Sequence, residues 1–330
     1  MRIAIDIMGG DHAPQELLTA TVQSAKMHPE NEYIMVGSAA ALDSISDLPQ
    51  NISKVYSNSV MAMDESVENL MKKRDSSIWM ATELVKKQQA DAVVSAGSTA
   101  AQMAAATLLL GRIKGISRPA IGTVIPTLRG GKFLLDMGAN ADCSADMLLQ
   151  FARMGAVYVE QLLQLEKPQV ALLSNGTEAH KGSKMIQETH ALLQESELNF
   201  IGNLEGRDIL YGAYDVLVCD GMSGNIAIKS LEGTLSVVMT ILKRELTKNF
   251  KRTIGAALIK DGLKEVKKVF DYEEYGGAPL LGVKGVSIVC HGSSKAKAIV
   301  SALDAAAICV QQGLVSKLTL ALQAAPESVE

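Results

Sequence analysis

Short runs of consecutive apolar residues recur along this chain of 330 residues. We predict eight strands from them, at 3–7, 33–36, 92–95, 121–125, 133–136, 170–173, 216–219 and 286–290. Several of these runs lack the alternation of apolar and polar residues that marks a half-exposed strand. Such runs are typical of strands that are buried on both faces. The pattern therefore predicts a sheet that is covered on both sides.

Between the strands, apolar residues return every three or four positions, which is the period of one face of an α-helix. The predicted helices span 15–27, 77–89, 99–110, 145–164, 183–195 and 294–312. Strands that alternate with helices pair as parallel neighbours through right-handed crossovers. We therefore predict a three-layer α/β fold, a mostly parallel sheet with helices on both faces, in a single large domain over residues 1–330.

Six of the predicted strands are followed at once by loops rich in Gly, Ser, Asn and Asp. These loops begin at Met8, Ser95, Asp136, Ser174, Asp220 and His291. Ligands of parallel α/β proteins bind at the carboxyl ends of the strands, where helix N-termini offer free N–H groups to anions. We therefore expect all six loops to share one edge of the sheet and to form a site for a small anionic molecule.

The segment from 226 to 270 contains no strand signal. One apolar helix face recurs there at spacings of three and four, through Ile228, Leu231, Leu235, Val238, Leu242 and Leu246. A second helix places Ile259, Leu263, Val266 and Phe270 on one face. We predict a protruding helical hairpin, an arm over 226–272, that packs against a partner subunit in a homodimer. A hairpin folded back on its own sheet is the alternative.

Charge separates this arm from the rest of the chain. Residues 229–272 contain ten Lys and Arg against five Asp and Glu, a net charge of +5, so the remaining residues carry −9 of the total of −4. A basic arm with an apolar tip on an acidic body favours an anionic partner, such as a membrane surface or an acidic protein. We expect Ile254, Leu258 and Ile259, in a turn at 253–259, to make transient membrane contact. A solvated charged face is the alternative.

Composition argues against several other classes of protein. A net charge of −4 does not suit general nucleic-acid binding. The four cysteines form no Cys-x-x-Cys pair, so neither a zinc site nor a redox dithiol is indicated. The chain starts with a strand rather than a signal peptide, and its longest apolar run, near 104–110, is too short to span a bilayer. We therefore expect a cytoplasmic protein that associates with membranes only peripherally.

Seven motifs occur in order from the first residue to about residue 315. They are MGGDHAP at 8–14, KRDSS at 73–77, GANAD at 138–142, GTEAHKG at 176–182, DGMSGN at 220–225, YGGAPLLG at 275–282 and HGSS at 291–294. The ordered set resembles the bacterial acyl-acyl carrier protein:phosphate acyltransferases of phospholipid synthesis. Ser98 and Ala100 stand where that family usually has Asn and Gly, and Met222-Ser223 where Phe-Thr is usual. These departures bear on substrate contacts more than on the reaction.

The resemblance implies a fold similar to that of isocitrate and isopropylmalate dehydrogenases and of phosphotransacetylases, a homodimer, and peripheral membrane association. It implies transfer of a long-chain fatty acyl group from an acyl carrier protein thioester to inorganic phosphate, which forms acyl phosphate for phospholipid synthesis. No metal and no nucleotide is implied, so we expect no cofactor. Phosphate is already an anionic nucleophile and a thiolate leaves readily, so the protein needs mainly to align the reactants and stabilise the oxyanion.

Two residues are the candidates for catalysis. Lys181 places an ammonium group in a loop after a strand, where it is expected to bind phosphate or the developing oxyanion. Asn225 carries an amide NH₂ that can donate to the thioester carbonyl oxygen. The resemblance supports both roles. The alternatives are an ordinary surface lysine and a helix N-cap, respectively.

Further candidates for substrate and phosphate contacts lie in the other strand-end loops. They are Asp11, His12, Ser98, Thr99, Asn140, Gly176, Thr177, His291, Gly292 and Ser293. The loop at 291–293 can hold phosphate through its backbone N–H groups, while an N-cap role for Ser293 or Ser294 is the alternative.

Four aspartates follow or end the strands and raise the possibility of a divalent metal: Asp6, Asp11, Asp136 and Asp142. They are spread over several loops without compact ligand spacing, and they would repel phosphate. We therefore predict no metal site.

Three other functions stay open on sequence grounds. A phosphotransacetylase that uses a coenzyme A thioester would run the same chemistry with another acyl carrier. An NAD-dependent dehydrogenase is not excluded by the missing Gly-x-Gly-x-x-Gly fingerprint, since decarboxylating dehydrogenases lack it, although they need a metal-carboxylate cluster. A non-catalytic scaffold that recruits acyl carrier protein to membranes would need fewer polar loops than this chain has.

Overall fold

The computed structural model describes residues 1–269 and 276–324. It contains an 11-stranded sheet. The strands are β1 (Arg2–Asp6), β2 (Glu32–Gly37), β3 (Ile52–Tyr56), β4 (Ala92–Ser95), β5 (Ala120–Thr127), β6 (Gly130–Leu135), β7 (Val170–Ser174), β8 (Phe200–Glu205), β9 (Val216–Val218), β10 (Ala278–Leu281) and β11 (Val286–Val289). Their order across the sheet is β3-β2-β1-β4-β11-β10-β5-β6-β9-β7-β8.

The helices of the described residues are α1 (Gln15–Met27), α2 (Ala39–Leu42), α3 (Ser77–Lys86), α4 (Thr99–Leu109), α5 (Ala145–Leu162), α6 (Lys184–Glu195), α7 (Gly221–Leu246), α8 (Phe250–Leu258), α9 (Lys260–Val269), α10 (Ala296–Gln311) and α11 (Leu314–Ala324). Two short 3₁₀ helices cover Val67–Met71 and Gly206–Tyr211.

Successive residues of the first strand enter different apolar clusters on the two faces of the sheet. Ile3 and Ile5 belong to the largest cluster, which includes Leu17 of α1 and Ile299 of α10. Ala4 lies between them in sequence and packs instead in a cluster with residues of α3. Side chains alternate between the faces of a strand, so both faces are covered by helices. The predicted three-layer α/β fold is confirmed.

The sheet is built from two parallel halves that run in opposite directions. Strands β3, β2, β1, β4 and β11 are mutually parallel, and so are β6, β9, β7 and β8. Between the halves, β10 is antiparallel to both β11 and β5, and β5 is antiparallel to β6. The direction therefore reverses in the middle of the sheet.

This reversal makes one sequence expectation wrong. The loops after β1, β4 and β11 leave one edge of the sheet, which we call the first edge. The loops after β6, β7 and β9 leave the opposite edge, the second edge. The six polar loops thus form two groups of three rather than one. A pattern of strands and loops does not reveal strand direction, which here depends on the unpredicted strand β10.

All eight predicted strands are present, and three more were not predicted. Strand β3 lies at one end of the sheet, has the polar residues Ser53 and Lys54 near its centre and contains no buried residue, while β8 lies at the other end. Strand β10 is four residues long and includes Pro279. Pro has no N–H to donate to a ladder, so a segment of this kind gives a weak strand signal.

The arm begins earlier and is more helical than predicted. Helix α7 starts at residue 221, and the predicted turn at 253–259 is wrong, because α8 occupies most of it. The side chain of Asn249 starts α8 by accepting a hydrogen bond from the N–H of Arg252 at 3.0 Å. Residues 270–272 of the predicted arm lie outside the described residues.

Helix α7 is attached to the sheet only through its first turns. Ala227, Ile228 and Leu231 pack against a buried cluster on β6, β7 and β9. Farther along, Val237 and Val238 are more than half exposed. By length and composition α7 could cross a membrane. Its packing on the sheet, and its neighbouring exposed helices, indicate instead a helix that leaves the body of the protein.

Two glycines of α7 have opposite surroundings. A Cβ atom on Gly224 would lie 2.0 Å from the backbone carbonyl oxygen of Asp136, whereas one on Gly233 would meet nothing within 4 Å. Only glycine therefore permits the close approach of α7 to the end of β6, and the same residue type at 233 has no packing role.

We predict that Gly224→Ala lowers the free energy of unfolding by about 1–3 kcal/mol, because backbone atoms must move apart to admit the methyl group. The matched variant Gly233→Ala is expected to raise stability by about 0.5–1 kcal/mol through helix propensity alone. Urea denaturation followed by circular dichroism measures both. Equal effects of the two substitutions would show that the contact at Gly224 is unimportant.

Candidate active site

Three loops meet at the first edge, backbone against backbone. Gly10, whose φ is +106°, has the carbonyl oxygens of Ala96 and Gly292 each 3.0 Å from the position that a Cβ would take. The N–H of Asp11 donates to the carbonyl of Gly292 at 2.8 Å. This packing places seven of the sequence candidates at one edge: Asp11, His12, Ser98, Thr99, His291, Gly292 and Ser293.

A buried carboxylate lies beneath these loops. Asp6 is almost fully buried and accepts hydrogen bonds from the hydroxyl of Ser95 at 2.7 Å and from the N–H of Met8 at 3.2 Å. Burial raises the pKa of Asp6, while these hydrogen bonds act in the opposite direction. Asp6 joins β1 to β4 and is enclosed, so it supports the loops rather than contacting a ligand.

His291 and Ser293 form a local pair that faces solvent. The hydroxyl of Ser293 lies 2.7 Å from Nδ1 of His291, and the N–H of Ser293 donates to the same nitrogen at 3.2 Å. Nδ1 is therefore an acceptor, which places the proton of a neutral ring on Nε2. The exposed Nε2–H is left free to donate to a ligand.

The N-terminus of α10 already has an acidic partner. The N-cap residue is Lys295, without a side-chain cap, and the N–H of Ala296 donates to the carboxylate of Glu16 at 2.6 Å. Neither Ser293 nor Ser294 is the N-cap, so that alternative is wrong. A phosphate bound at this helix end would lie beside the carboxylate of Glu16, and repulsion between the two negative charges disfavours phosphate binding there.

Ser98 and Thr99 differ in their surroundings. Ser98 is buried at the N-terminus of α4 and caps that helix, since its hydroxyl accepts from the N–H of Ala101 at 3.5 Å. Thr99 is exposed. His12 and Asp11 are exposed as well.

The second edge is organised by a fully buried carboxylate, that of Asp136. One oxygen accepts from the N–H groups of Ile121, Gly138 and Ala139 at 3.2, 3.1 and 3.0 Å. The other accepts from the backbone N–H and the side-chain amide of Asn140, both at 2.8 Å. Burial raises the pKa of Asp136 while these donors act in the opposite direction. The network fixes the loop that connects β6 to α5.

Asn140 extends this network in two directions. Its side-chain amide also donates to the carbonyl of Pro119 at 2.8 Å. Its own carbonyl accepts from the N–H of Gly221, the first residue of α7, at 2.7 Å. Asn140 is buried and its side-chain NH₂ donates to two protein groups, so its side chain acts by positioning its neighbours rather than by donating to phosphate.

Asn225 lies in the second turn of α7 with its amide free. The helix is capped by Asp220, which accepts from the N–H of Ser223 at 2.8 Å, so the N-cap alternative for Asn225 is wrong. The side chain is half-buried and lies beside Gly138, 3.7 Å from where a Cβ would stand. No protein group within the described residues is hydrogen-bonded to this amide.

Lys181 lies in the loop between β7 and α6, folded over a glycine. A Cβ on Gly176 would lie 2.7 Å from Cγ of Lys181, so the lysine stem occupies the space that a larger residue would need. The side chain of Lys181 is half-buried. Its ammonium group forms no ion pair with any carboxylate of residues 1–269 or 276–324. Thr177, on the same loop, is exposed.

Strand order brings part of the predicted site together. β9 lies between β6 and β7, so the loops that carry Asn140, Asn225 and Lys181 are neighbours at the second edge. Gly176 and Thr177 belong to the same group. The seven candidates of the first edge leave the sheet on the other side and are not in direct contact with this group.

A cleft of about 380 Å³ crosses the face of the sheet between the two halves. We call it the main cleft. Its apolar wall is formed by Ile228, Leu231 and Leu235 of α7, opposite β5, and it includes the carboxylate of Glu232. His291 and Ser293 lie at one side, and Met137, next to Gly138, also lines it. The main cleft thus runs from the first-edge loops towards the loop beside Asn225.

A second cavity of about 380 Å³ opens at the second edge. It is lined by Met103, Thr107, Arg112, Arg118, Pro119 and Asn140, and we call it the arginine cavity. The sequence reasoning missed both arginines. A signal was present, since no Asp or Glu occurs between Asp91 and Asp136 while Arg112, Lys114 and Arg118 do.

The described residues contain neither a reactive cysteine nor a cluster of metal ligands. All four cysteines are free, and burial raises the pKa of Cys143 to about 11 and that of Cys290 and Cys309 to about 12. Burial raises the pKa of Cys219 as well. None is therefore set up as a thiolate nucleophile at neutral pH. Among the described residues, no group of three His, Cys, Asp or Glu side chains is placed to hold a metal ion.

The fold is shared with transferases and dehydrogenases of known structure. It is similar to a phosphotransacetylase from Streptococcus pyogenes, with a TM-score of 0.58, 17% identity and coverage of 98% of this chain and 94% of that one. A branched-chain phosphotransacylase from Enterococcus faecalis V583 has a TM-score of 0.58, 16% identity and coverage of 94% and 99%. A 4-hydroxythreonine-4-phosphate dehydrogenase from Klebsiella pneumoniae has a TM-score of 0.54 and 10% identity, with 94% of this chain and 98% of that one covered. These likenesses establish the fold.

Sequence comparison is more specific. A family model described as fatty acid synthesis protein matches residues 1–317. The chain is 49% identical over 323 residues to the phosphate acyltransferase of Desulfitobacterium hafniense (strain DSM 10664 / DCB-2), and the aligned region covers 96% of each chain. It is 47% identical over 307 residues to the phosphate acyltransferase of Thermoanaerobacter pseudethanolicus, with 93% of this chain and 92% of that one covered. The chain therefore belongs to the fatty acid synthesis protein family, and these two phosphate acyltransferases are its relatives.

Proposed function

We propose that this chain transfers a long-chain fatty acyl group from an acyl carrier protein thioester to inorganic phosphate, and so supplies acyl phosphate for phospholipid synthesis. Family membership makes the chain an acyltransferase, and its relatives are phosphate acyltransferases. The observation that carries the finer proposal is the main cleft. Its apolar wall suits an acyl chain, and the free amide of Asn225 stands on the same helix as that wall.

The reaction needs one bond to form and one to break. A phosphate oxygen attacks the carbonyl carbon of the thioester, the carbonyl oxygen becomes an oxyanion, and collapse expels the thiolate of the carrier, which takes a proton from water. The amide of Asn225 has a donor available for that oxyanion. The unpaired ammonium of Lys181, on the neighbouring loop, has the charge to hold the phosphate nucleophile. The thioester substrate and the acyl phosphate product are both activated acyl groups, so no nucleotide is consumed.

The identity of the acyl donor is the part of this proposal that has a specific alternative. A coenzyme A thioester offers the same carbonyl and the same leaving group, and the solved phosphotransacetylases share the fold. The first test is therefore release of thiol from a long-chain acyl-acyl carrier protein, dependent on phosphate, with acyl-coenzyme A in parallel. Turnover of the carrier-protein thioester at a higher kcat/KM supports the proposal. Preference for the coenzyme A thioester would replace it with a phosphotransacetylase.

We propose further that the arm makes the protein a homodimer that contacts an anionic membrane transiently, in the cytoplasm. The exposed apolar residues Val237, Val238 and Ile241 of α7 support a subunit contact. On α8, Phe250, Ile254 and Leu258 recur every four residues and are 80%, 47% and 82% exposed. Lys251 and Arg252 follow Phe250 on the same short helix, which combines an apolar stripe with basic side chains, as interfacial helices do.

We predict that Lys181→Ala and Asn225→Ala each lower kcat/KM by about 10²-fold or more, because each removes a donor used in the transition state. The controls are Lys184→Ala, whose side chain is 91% exposed, and Asn58→Ala, which is an exposed residue far along the chain from these loops. Steady-state thiol release measures all four. Near-normal turnover of the Lys181 and Asn225 variants, with native circular dichroism, rejects the two roles.

Membrane contact predicts a loss of binding when the stripe on α8 becomes polar. The double variant Ile254→Gln/Leu258→Gln is expected to bind anionic phospholipid vesicles at least about 10-fold more weakly, since each buried aliphatic side chain contributes roughly 1.5–3 kcal/mol. Sedimentation of vesicles of phosphatidylglycerol measures the partition. The control Leu128→Gln changes a leucine that is 68% exposed in the turn between β5 and β6. An equal loss in the control variant would count against a membrane role for α8.

The subunit contact predicts a change of oligomeric state. Val237→Lys/Ile241→Lys places two charges on the apolar face of α7 and is expected to convert a dimer to a monomer at micromolar concentration, because unpaired charges in an apolar interface are strongly unfavourable. Sedimentation velocity measures the mass directly. A wild-type chain that sediments as a monomer overturns the dimer proposal.

A further inference from the structure

The segment that precedes β5 concentrates positive charge at the second edge. Arg112, Lys114 and Arg118 lie in the connection between α4 and β5, and all three are exposed. Lys284 joins them, since its N–H donates to the carbonyl of Gly111 at 2.9 Å. None of these four side chains forms an ion pair with a carboxylate within the part of the chain that the structure describes. The acidic residues that follow Asn140 on this edge, at 142 and 146, are exposed and likewise leave them unpaired.

The loop that presents these charges is held firmly. Ile113 and Ile116 are buried, and the N–H of Ile113 donates to the carbonyl of Gly282 at 2.9 Å. The side chain of Gln150 binds Ser117 twice, since its oxygen accepts from the N–H at 2.9 Å and its NH₂ donates to the hydroxyl at 3.3 Å. The guanidinium of Arg112 donates to the carbonyl of Ser117 within the same loop, and its other N–H groups remain available.

Two of the cations line an open cavity. Arg112 and Arg118 line the arginine cavity, whose remaining walls are Met103, Thr107, Pro119 and Asn140. Asn140 connects this cavity to the helix that carries Asn225 by two hydrogen bonds, from its amide to the carbonyl of Pro119 and from the N–H of Gly221 to its own carbonyl. The cavity therefore shares its wall with the loop that lies against Asn225.

A pair of arginines on a pinned loop matches one kind of ligand. Guanidinium groups donate parallel N–H bonds to the oxygens of phosphate, and a fixed loop reduces the ordering cost of binding. The proposed reaction involves two phosphate groups, the inorganic phosphate nucleophile and the phosphodiester of the prosthetic arm that carries the thioester. Both offer the same oxygens to these donors.

We propose that the arginine cavity is a phosphate-binding site of this enzyme, in which Arg118 and Arg112 hold the phosphate group of one of the two substrates. This proposal rests on the proposed acyl transfer for the identity of its ligands, but its geometry does not depend on turnover. It adds a positive site at the second edge to the donors on Asn225 and Lys181.

The test compares Arg118→Gln with Arg129→Gln. Arg129 belongs to the same acid-free segment and is exposed, but it lies in the turn at the other end of β5. The two variants therefore carry the same change of charge on opposite edges of the sheet. Arg118→Lys keeps the charge and loses the paired N–H geometry.

Steady-state kinetics identifies which phosphate binds. Loss of one charged hydrogen-bonding group typically weakens binding by about 10-fold or more. If the cavity holds the nucleophile, Arg118→Gln raises KM for inorganic phosphate by that factor. If it holds the phosphodiester, the variant raises KM for the acyl-acyl carrier protein, while a truncated acyl-pantetheine, which lacks the phosphate, is unaffected. In either case Arg118→Lys recovers only part of the loss, and Arg129→Gln behaves as the wild type.

Calorimetry separates this proposal from the proposed function. Inorganic phosphate, phosphopantetheine and pantetheine are titrated into the wild type and both glutamine variants without any acyl substrate. Binding of either phosphate compound that Arg118→Gln weakens and Arg129→Gln does not supports the site, even if the wild type shows no acyl transfer. Unchanged titrations and unchanged KM values in Arg118→Gln overturn it, whatever the turnover of the wild type.

Discussion

The buried carboxylate of Asp136 connects the parts of the second edge. Five N–H groups converge on its two oxygens, from the start of β5, from the loop after β6 and from Asn140. Hydrogen bonds to a charged acceptor are worth about 1.5–3 kcal/mol each, which offsets the several kcal/mol that burial of an ion costs. Through Asn140 the same network reaches Gly221 of α7 and Pro119 beside Arg118. Both carboxylate oxygens of Asp136 act only as acceptors. In an Asn at this position the NH₂ group would replace one oxygen and would face the N–H groups that now donate to it.

The reversal of strand direction in the middle of the sheet determines which loops lie beside the network of Asp136. In a fully parallel sheet all the polar loops would lie at one edge, and the middle of the sheet would be covered like the rest. Here β10 and β5 run antiparallel to their neighbours, so each half contributes loops to a different edge. The main cleft lies over those central strands, between the helices of the two halves. The polar residues His291 and Ser293 line one side of this cleft and apolar side chains of α7 form its wall, which suits an elongated substrate with a polar and an apolar part.

Much of this architecture follows from local pattern, and the rest does not. The eight runs of apolar residues and the six helical periods predicted the layers, because burial on both faces leaves a direct mark on composition. Strand β10 was not predicted, since it is short and contains Pro279. Without β10 the reversal of strand direction in the sheet was not predicted either. Lys181 and Asn225 were identified from motifs, and within the described residues neither side chain is paired, while the strand order makes their loops neighbours. Asn140 was identified as a ligand but is committed to protein contacts, a distinction that only hydrogen-bond geometry reveals. Arg112 and Arg118 belong to no motif and were overlooked, although the lack of acidic residues between Asp91 and Asp136 marks their segment.

Helix α7 has a mechanical property that follows from its length. A helix of 26 residues extends about 39 Å, and Asn225 lies only about 6 Å from its start, next to the close contact of Gly224 with the sheet. Asn225 lies one residue, about 1.5 Å, from that contact, and the far end of the helix lies about 33 Å from it. If the helix tilts as a rigid rod about the contact, a displacement of 1 Å at its far end moves Asn225 by roughly 0.05 Å, since displacement scales with distance from the pivot. Motions of the arm as it meets a surface or a second subunit therefore reach the amide strongly reduced. The chain can keep a mobile outer end and a steady donor on a single continuous helix.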